Sequence, residues 1–463
     1  MGHRSDSGDD VTLERARSSA AGPARSRAAA RLVVVHPPTL RGVVALSGES
    51  TTVGRQARSP GDAALVHPTI SRAHAELRRD PASDRHWLRD LGSRNGTCLE
   101  GQAIGELPRP LVDGAVIRFG DVIAVYERAE GGFVDAAEVD HAAAPGHSAA
   151  AASLRAALSR VAGRSGPALV IGETGAGKER IAAELQRLRR RAGPLVVANC
   201  AALSPTLIES QLFGHERGAF TGAAQRASGL FRGAEGGTLV LDEIGELALE
   251  LQPKLLRALE SGEVMAVGAT RAARVDVQVI GVTNRDLAVE VEAGRFRRDL
   301  YARLALGEVR VPPLRARRAD VLEWLDRLAP PGAPPSERLS ASAAEALVMS
   351  GWPENLRGVH RLALELAGLP APIGAAMVPR WVGPPGLVAG GGATGESAAE
   401  DDGAESGEGG GRVLRPRPSR EELLRALEEH GWSVRATARY FERDRKQISR
   451  WIERYGIVMP GRE

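Results

Sequence analysis

Several runs of residues in this chain have types and spacings that could do chemistry. The first is Gly172-Glu173-Thr174-Gly175-Ala176-Gly177-Lys178-Glu179, which follows the apolar run Ala168–Ile171 and opens a segment of helical periodicity. Glycines at 172, 175 and 177 let backbone N–H groups curl inward around phosphate oxygens. Lys178 adds a point charge for the outer phosphates, and the helix N-terminus adds its dipole. Among 61 Lys+Arg residues the only lysines are Lys178, Lys254 and Lys446, so a lysine in this loop draws notice. Strand, glycine loop and helix in that order make the setting of a nucleoside triphosphate site. Taken alone, the same residues also read as a glycine turn before a helix.

A second run is Gly236–Leu247, an apolar strand that ends in Asp242 and Glu243. At a strand end Asp242 can hold Mg²⁺ through water, and Glu243 can polarise an attacking water. Two acids at a strand end often do no more than meet solvent; the glycine loop upstream favours ATP hydrolysis. Glu179 stands where a Ser or Thr is usual after the lysine. It removes one expected Mg²⁺ ligand, so the metal must lean on water and another carboxylate. A third strand ends in Thr283-Asn284-Arg285-Asp286, where Asn284 could sense the terminal phosphate.

Between the loop and the acids lies Glu209–Ala223, with Gly218-Ala219-Phe220-Thr221-Gly222-Ala223 at its end. The two glycines flex the loop, Phe220 offers an exposed apolar tip, and Thr221 offers a hydrogen-bonding handle. An exposed Phe between glycines does little for the stability of one chain. With this hexapeptide, residues 150–370 closely resemble the AAA+ domain of bacterial enhancer-binding proteins, the activators of sigma-54 RNA polymerase. The resemblance implies that Gly218–Ala223 tips a loop that touches sigma-54. It implies ATP contacts from Gly172, Glu173, Thr174, Gly175, Ala176, Gly177, Lys178, Glu179 and Asn284, with Lys178, Asp242 and Glu243 catalytic. Gly294–Leu304 resembles the segment of trans-acting arginines, which places those roles on Arg297 and Arg303; such an arginine neutralises charge on the γ-phosphate from a neighbouring subunit. A ring follows, by resemblance a hexamer. Trp352–Leu362 resembles the sensor II helix, with Arg357 reaching ATP in cis; Gly358 replaces the usual acid. Asn199 matches the asparagine that restrains the Walker B glutamate.

Upstream, Val53-Gly54-Arg55, Ser71-Arg72-Ala73-His74 and Ser93-Arg94-Asn95-Gly96-Thr97 fall at turns between short alternating runs. A phosphate dianion wants a planar guanidinium, hydroxyl donors and backbone N–H groups from adjacent loops. The order and spacing resemble the forkhead-associated (FHA) domain, which binds phosphothreonine peptides. The resemblance assigns the phosphate to Arg55 and Ser71 with help from Arg72, the peptide backbone to Asn95, and loop bracing to His74. Such a module does no chemistry. It replaces the receiver common in these activators, a two-component-like input fed by a Ser/Thr kinase or a phosphothreonine protein. Thr12, in an acidic tail, is a candidate internal phosphosite.

Near the far end, Ser419 and Glu422 form a capping box ahead of Leu423, Leu424 and Leu427. A short helix is expected over 434–441 and a third over 445–455, where Ile448, Trp451, Ile452 and Tyr455 follow i, i+3, i+4, i+7. The opposite face carries Arg445, Lys446, Gln447 and Arg450, as a recognition helix would. Residues 412–463 hold thirteen bases against eight acids, a locally basic surface. The unit resembles the Fis-type helix-turn-helix. Arg445, Lys446 and Gln447 are then candidates for base edges, and Arg450 for phosphate.

These sites need elements to hold them. The chain has 463 residues, enough for roughly three domains. Aromatics make up only 4%, so its cores must be aliphatic. A net charge of +3 is too small for a nucleic-acid coat or a membrane binder, so any basic partner surface is local. Two cysteines, Cys98 and Cys200, exclude a disulfide framework. No apolar run suits a signal peptide or membrane span, so a cytoplasmic protein with no membrane partner is expected.

The expected fold is multidomain: an all-β FHA sandwich, an α/β AAA+ P-loop ATPase with a helical lid, and a small all-α helix-turn-helix. The expected bounds are 1–30 disordered tail, 31–128 FHA sandwich, 129–150 linker, 151–313 ATPase core, 314–382 lid, 383–418 flexible linker and 419–460 DNA reader. Ala168–Ile171, Leu195–Ala198, Thr238–Leu241 and Val277–Val282 are expected as buried parallel strands. The whole reads as an ATP- and Mg²⁺-dependent activator on enhancer DNA, assembling from dimer to hexameric ring. Two rivals are a sigma-54-independent repressor and a phosphopeptide adaptor with an inactive ATPase; intact Gly218–Ala223 and intact Lys178, Asp242 and Glu243 argue against them.

Overall fold

A computed structural model describes residues 28–382 except 58, 131, 134, 135, 137, 203, 204, 333, 380 and 381, together with ten positions between 423 and 452. The chain divides into two units, residues 1–389 and 390–463. Thr12 and the acidic stretch 383–418 lie outside the described residues.

The first part of the larger unit is a two-sheet β sandwich. One sheet runs Gly42–Leu46, Ala29–His36, Val122–Ala129, Val116–Phe119, Thr97–Leu99, Gln102–Ile104; the other runs Ala63–Ala64, Ser50–Gly54, Ala75–Asp80, Arg85–Asp90, Arg109–Pro110. Arg85–Asp90 alternates exposed and buried, the period of a strand with one wet face. Leu32–Val35 and Val122–Tyr126 do not alternate, because both of their faces are covered. Leu32, Val34, Ala124 and Tyr126 fill the sandwich core. Val33, Val35, Ile123 and Val125 turn outward into a second core. The first strand begins at Ala29, within the stretch expected as a tail. The chain turns at Gly120, where φ is +57°, between the antiparallel strands Val116–Phe119 and Val122–Ala129.

The α/β part has five parallel strands in the order Leu195–Asn199, Thr238–Asp242, Gln278–Thr283, Ala168–Ile171, Glu308–Arg310. Ala168–Ile171 and Thr238–Asp242 read as near-continuous apolar runs because helices cover both sheet faces. Leu195–Asn199 differs from expectation. It is the edge strand, and Leu195 and Val197 are 40% and 59% exposed. Glu308–Arg310, the other edge, was too short and too polar to be read as a strand from sequence.

The stretch expected as a linker, 129–150, is packed in its second half. Val139 and Ala144 join the α/β core, and Ser148 caps the helix Ala149–Ala162. Buried Asp320 accepts from the Ser148 N–H at 2.9 Å and its hydroxyl at 2.6 Å. The lid follows with helices Val321–Leu328, Pro335–Arg338, Ala341–Met349 and Asn355–Ala367. The last of these runs on through buried Gly358, so the missing acid leaves it intact.

In the second unit, Leu423, Ala426, Leu427, Phe441, Ile448, Trp451 and Ile452 form one apolar cluster, with Phe441 and Trp451 edge to face at 6.3 Å. Ile448, Trp451 and Ile452 are thus the buried face that their spacing predicts. Arg445, Lys446, Gln447 and Arg450 lie outside the described residues.

Candidate functional site

The carboxyl ends of the parallel strands gather the predicted site, as open α/β sheets do. The loop after Ala168–Ile171 bends through Gly175 and Gly177, at φ +74° and +98°, into the helix Lys178–Arg189. A side chain on Gly175 would collide with the carbonyl of Glu354, so the lid lies against the loop. Leu356 N–H donates to the Gly175 carbonyl at 2.9 Å. Asn355, fully buried at φ +51°, donates to the Thr174 carbonyl and to Glu173 Oε2, both at 3.1 Å. Arg315 also pairs with Glu173 (Nη1 to Oε2, 2.8 Å). Hydrogen bonds from Arg315 and Asn355 hold the Glu173 carboxyl below the usual carboxylate range. Ala176 offers its carbonyl to Arg317 at 3.0 Å. Lys178 is buried and reaches back to the Glu173 carbonyl at 3.3 Å. Glu179 is exposed on the first helical turn.

Asp242 and Glu243 end the neighbouring strand, both half-buried. Asp242 Oδ1 accepts the Glu243 N–H at 3.1 Å, and Glu243 sits at φ +50°. Asn284, at the end of the central strand, donates its backbone N–H to Glu243 Oε2 at 3.4 Å and its side-chain amide to Thr174 Oγ1 at 3.1 Å. Asn284 therefore links the acids to the loop. Cys200 packs beside this pair. Burial pushes its thiol up to about 12, with the Asp242 and Glu243 charges adding to the effect.

Asn199 ends the neighbouring edge strand. Its Oδ1 accepts the Ala201 N–H at 2.9 Å, a turn bond of its own loop, and the Glu243 carboxylate is met by Asn284. Arg357 is exposed, and its Cβ stands above Gly175 on the lid helix. Arg297 and Arg303 make their side-chain contacts with residues outside the 172–179 loop. Exposed Arg297 pairs with Asp299 at 2.7 Å, and half-buried Arg303 donates to the Leu259 carbonyl at 3.2 Å.

The donor set suits a hard divalent cation. Asp242 offers carboxylate oxygen at its strand end, the hydroxyl of Thr174 meets the Asn284 amide, and Cys200 beside the acids is a buried thiol. Among the described residues there is no cluster of three or more His, Cys, Asp or Glu able to hold a metal alone. A single carboxylate completed by water and phosphate oxygens is the pattern of Mg²⁺ with a nucleotide.

The Gly218–Ala223 hexapeptide is a closed loop. Gly218 N–H donates to the Ala223 carbonyl at 2.8 Å, and Ala223 N–H to the Phe220 carbonyl at 3.0 Å. Gly218 and Gly222 adopt φ +81° and +103°, and nothing stands within 4 Å of where their side chains would be. Phe220 is not the free tip that its flanking glycines suggest. It is half-buried against His215, ring centroids 5.0 Å apart, because an exposed ring loses apolar contact that a neighbouring imidazole supplies. His215 in turn meets Ser210 Oγ at 2.7 Å. No motif marked His215 in the sequence.

In the sandwich, the three predicted loops converge. Arg55 N–H donates to the Ser71 carbonyl at 2.9 Å, and Arg55 Nε to the Ile70 carbonyl at 2.9 Å. Ser71 Oγ accepts the Arg94 N–H at 3.0 Å, and Asn95 donates to the Thr69 carbonyl at 2.7 Å. Arg55, Arg72 and Asn95 are exposed. His74 is fully buried. Its Nδ1 receives the Ser71 N–H at 3.1 Å, which leaves Nε2 to donate to the Gly96 carbonyl at 3.1 Å. Burial lowers its pKa, so this neutral tautomer persists and ties two loops together.

A P-loop on a five-stranded parallel sheet, two acids at the next strand end and a helical lid over the loop define an ATPase-type nucleotide domain, here carried with a β-sandwich reader. Residues 145–310 match the family described as the Sigma-54 interaction domain, and residues 51–120 match the FHA domain. The chain thus carries a Sigma-54 interaction domain with an FHA domain ahead of it, and over the first of these it is similar to sigma-54-dependent regulators. It is 42% identical over 266 residues to the DNA-binding transcriptional regulator NtrC of Bradyrhizobium sp. (strain RP501 Parasponia), covering 56% of this chain and 55% of that protein. It is 48% identical over 222 residues to the nitric oxide reductase transcription regulator NorR2 of Cupriavidus necator, covering 47% and 43%. The chain spans about half the length of the curated relatives it matches. A solved structure of NtrX from Brucella abortus aligns with 68% of this chain and 70% of its own at 27% identity and TM-score 0.47. No helix among the described residues is long and apolar enough to cross a membrane.

Proposed function

We propose that this protein couples ATP hydrolysis to remodelling of the sigma-54 RNA polymerase closed complex, under control of phosphothreonine recognition. The observation that carries the reading is the closed Gly218–Ala223 loop, placed in the chain between the Lys178 loop and the Asp242–Glu243 strand end. Lys178 and the N–H groups of 172–179 bind the phosphates. Asp242 holds Mg²⁺, which when bound supplies positive charge against the phosphate oxygens. Glu243 orients and deprotonates the attacking water, and Asn284 reports the terminal phosphate. Arg357 of the lid closes over the nucleotide. Arg297 and Arg303 serve the site of a neighbouring copy, so the working form is a ring, taken as a hexamer, built from dimers.

Phe220 and Thr221 contact sigma-54 when the loop lifts off His215. Arg55, Ser71, Arg72 and Asn95 receive a phosphothreonine on a kinase or another protein. Arg445, Lys446, Gln447 and Arg450 read enhancer DNA. The functional bounds follow: 31–128 for phosphopeptide input, 151–313 for the motor, 314–382 for its lid and 419–460 for DNA.

The test is open-complex formation on a sigma-54 promoter with reconstituted polymerase. Wild type should open the promoter with ATP. Glu243→Ala should bind ATP, hydrolyse it at least about 100-fold more slowly and fail to open DNA. Full promoter opening by a chain lacking 218–223 would sink the reading.

A further inference from the structure

Arg317 and Arg318 are adjacent, both buried (2% and 4% exposed), and they serve different parts of the molecule. Arg317 donates to the Ala176 carbonyl inside the phosphate loop at 3.0 Å, with its guanidinium 5.7 Å from the Trp324 ring centroid. Arg318 donates to Glu100 Oε1 at 2.8 Å and to the Gly114 carbonyl at 3.2 Å, both in the sandwich. Glu100 is itself fixed, since the same oxygen accepts the Val116 N–H at 2.8 Å.

The surroundings make this contact firm. Val33, Val35, Val116, Ile123 and Val125 of the sandwich share one core with the lid residues Leu322, Leu347, Val348 and Val359. Each such side chain stabilises the contact by leaving water. Arg118 pairs with Glu345 of the lid at 2.7 Å, and Arg41 with Asp326 at 2.8 Å. The sandwich is therefore seated on the lid through a covered apolar face with ion pairs around it. A buried guanidinium is costly to leave without its acceptor. Shifting the sandwich moves Arg318, and one peptide bond away Arg317 must follow or release Ala176.

We propose that Arg317–Arg318 is a positioning pair through which the seating of the FHA sandwich sets the shape of the phosphate loop, so that nucleotide affinity depends on Glu100, a residue of the sandwich. It rests on the reading of Gly172–Glu179 as the nucleotide loop. A loop pre-shaped by Arg317 binds phosphate without first ordering itself, and loss of the Arg318 anchor returns that ordering cost to the ligand.

The experiment is equilibrium titration of the full chain with a fluorescent N-methylanthraniloyl ATP analogue. Glu100→Gln should raise Kd about five-fold or more. Glu345→Gln, which loosens the seat without touching Arg318, should raise Kd in the same direction and keeps the test open if Glu100→Gln does not fold. Glu76→Gln is the control. Glu76 pairs with Arg89 on the other sheet, and its loss should leave Kd unchanged. A folded Glu100→Gln or Glu345→Gln chain that binds within two-fold of wild type, or tighter, overturns the coupling alone. A wild type that binds no better than Lys178→Ala removes the nucleotide reading, and the coupling with it.

Discussion

Asn284 and Thr174 meet side chain to side chain at 3.1 Å, joining the end of the central strand to the tip of the phosphate loop. The same asparagine holds Glu243 through its backbone N–H. Under the proposed function a terminal phosphate entering the loop competes for this amide, and Asn284 then acts as a sensor rather than an anchor. Asn284→Ala should lower kcat for ATP about ten-fold or more while KM moves less than about three-fold. Steady-state ATPase kinetics on the full chain check it; an equal fall in binding would show an anchoring role.

Phe220 rests on His215, and under the proposed function it leaves His215 to touch a partner. Phe220→Ala should keep basal ATP turnover within about two-fold and abolish promoter opening, because the ring touches neither the phosphate loop nor Glu243. His215→Ala should retain turnover and raise the loop's susceptibility to limited proteolysis.

Arg297 pairs with Asp299 and Arg303 with the Leu259 carbonyl, partners outside the nucleotide loop. Arg297→Ala should cut turnover about 10³-fold, as loss of an arginine supplied in trans does. Mixing it with Lys178→Ala chains, each inactive alone, should restore part of the ATPase. Mixed interfaces then pair an intact loop with an intact arginine. No recovery on mixing would place the arginine in cis.

The exposed guanidinium of Arg55 is already oriented by the Ile70 carbonyl. Arg55→Ala should weaken binding of a degenerate phosphothreonine peptide library by about ten-fold or more, since charge-assisted bonds are worth about 1.5–3 kcal/mol each. The unphosphorylated library should bind neither chain.

His36 and His86 are buried in the sandwich, and burial lowers each to about 4 from an ordinary 6.5. The unfolded chain takes up these protons first as pH falls. Stability is therefore full above about 6.5 and is lost progressively down to about 4. Thermal melts between pH 7.5 and 4.5 should show Tm falling with pH, and His86→Gln should flatten part of that slope.

Much of this site is visible in one dimension because phosphate chemistry demands fixed residue types at fixed spacings. Gly172–Glu179, the acids at 242–243 and the asparagine at 284 each follow an apolar run that reads as a buried strand, and the structure brings their ends together. The FHA loops are legible for the same reason. The contact that Asn199 makes in its own loop is not legible, because which N–H an exposed amide meets depends on loop geometry that leaves no periodic trace. Glu308–Arg310 was missed because three residues carry no period.

The short alternating runs between 31 and 127 announced strands, but not that Leu32–Val35 and Val122–Tyr126 are covered on both faces, nor by what. The sequence by itself determined most of the strands and helices, and which residue types a phosphate ligand would meet, since both are written in local spacing. Only the tertiary structure decided that the lid covers the sandwich, that Phe220 packs on His215, and that Arg317 and Arg318 point to opposite partners. Those outcomes rest on contacts between residues far apart in the chain, and each contact is chosen by the geometry of everything packed around it.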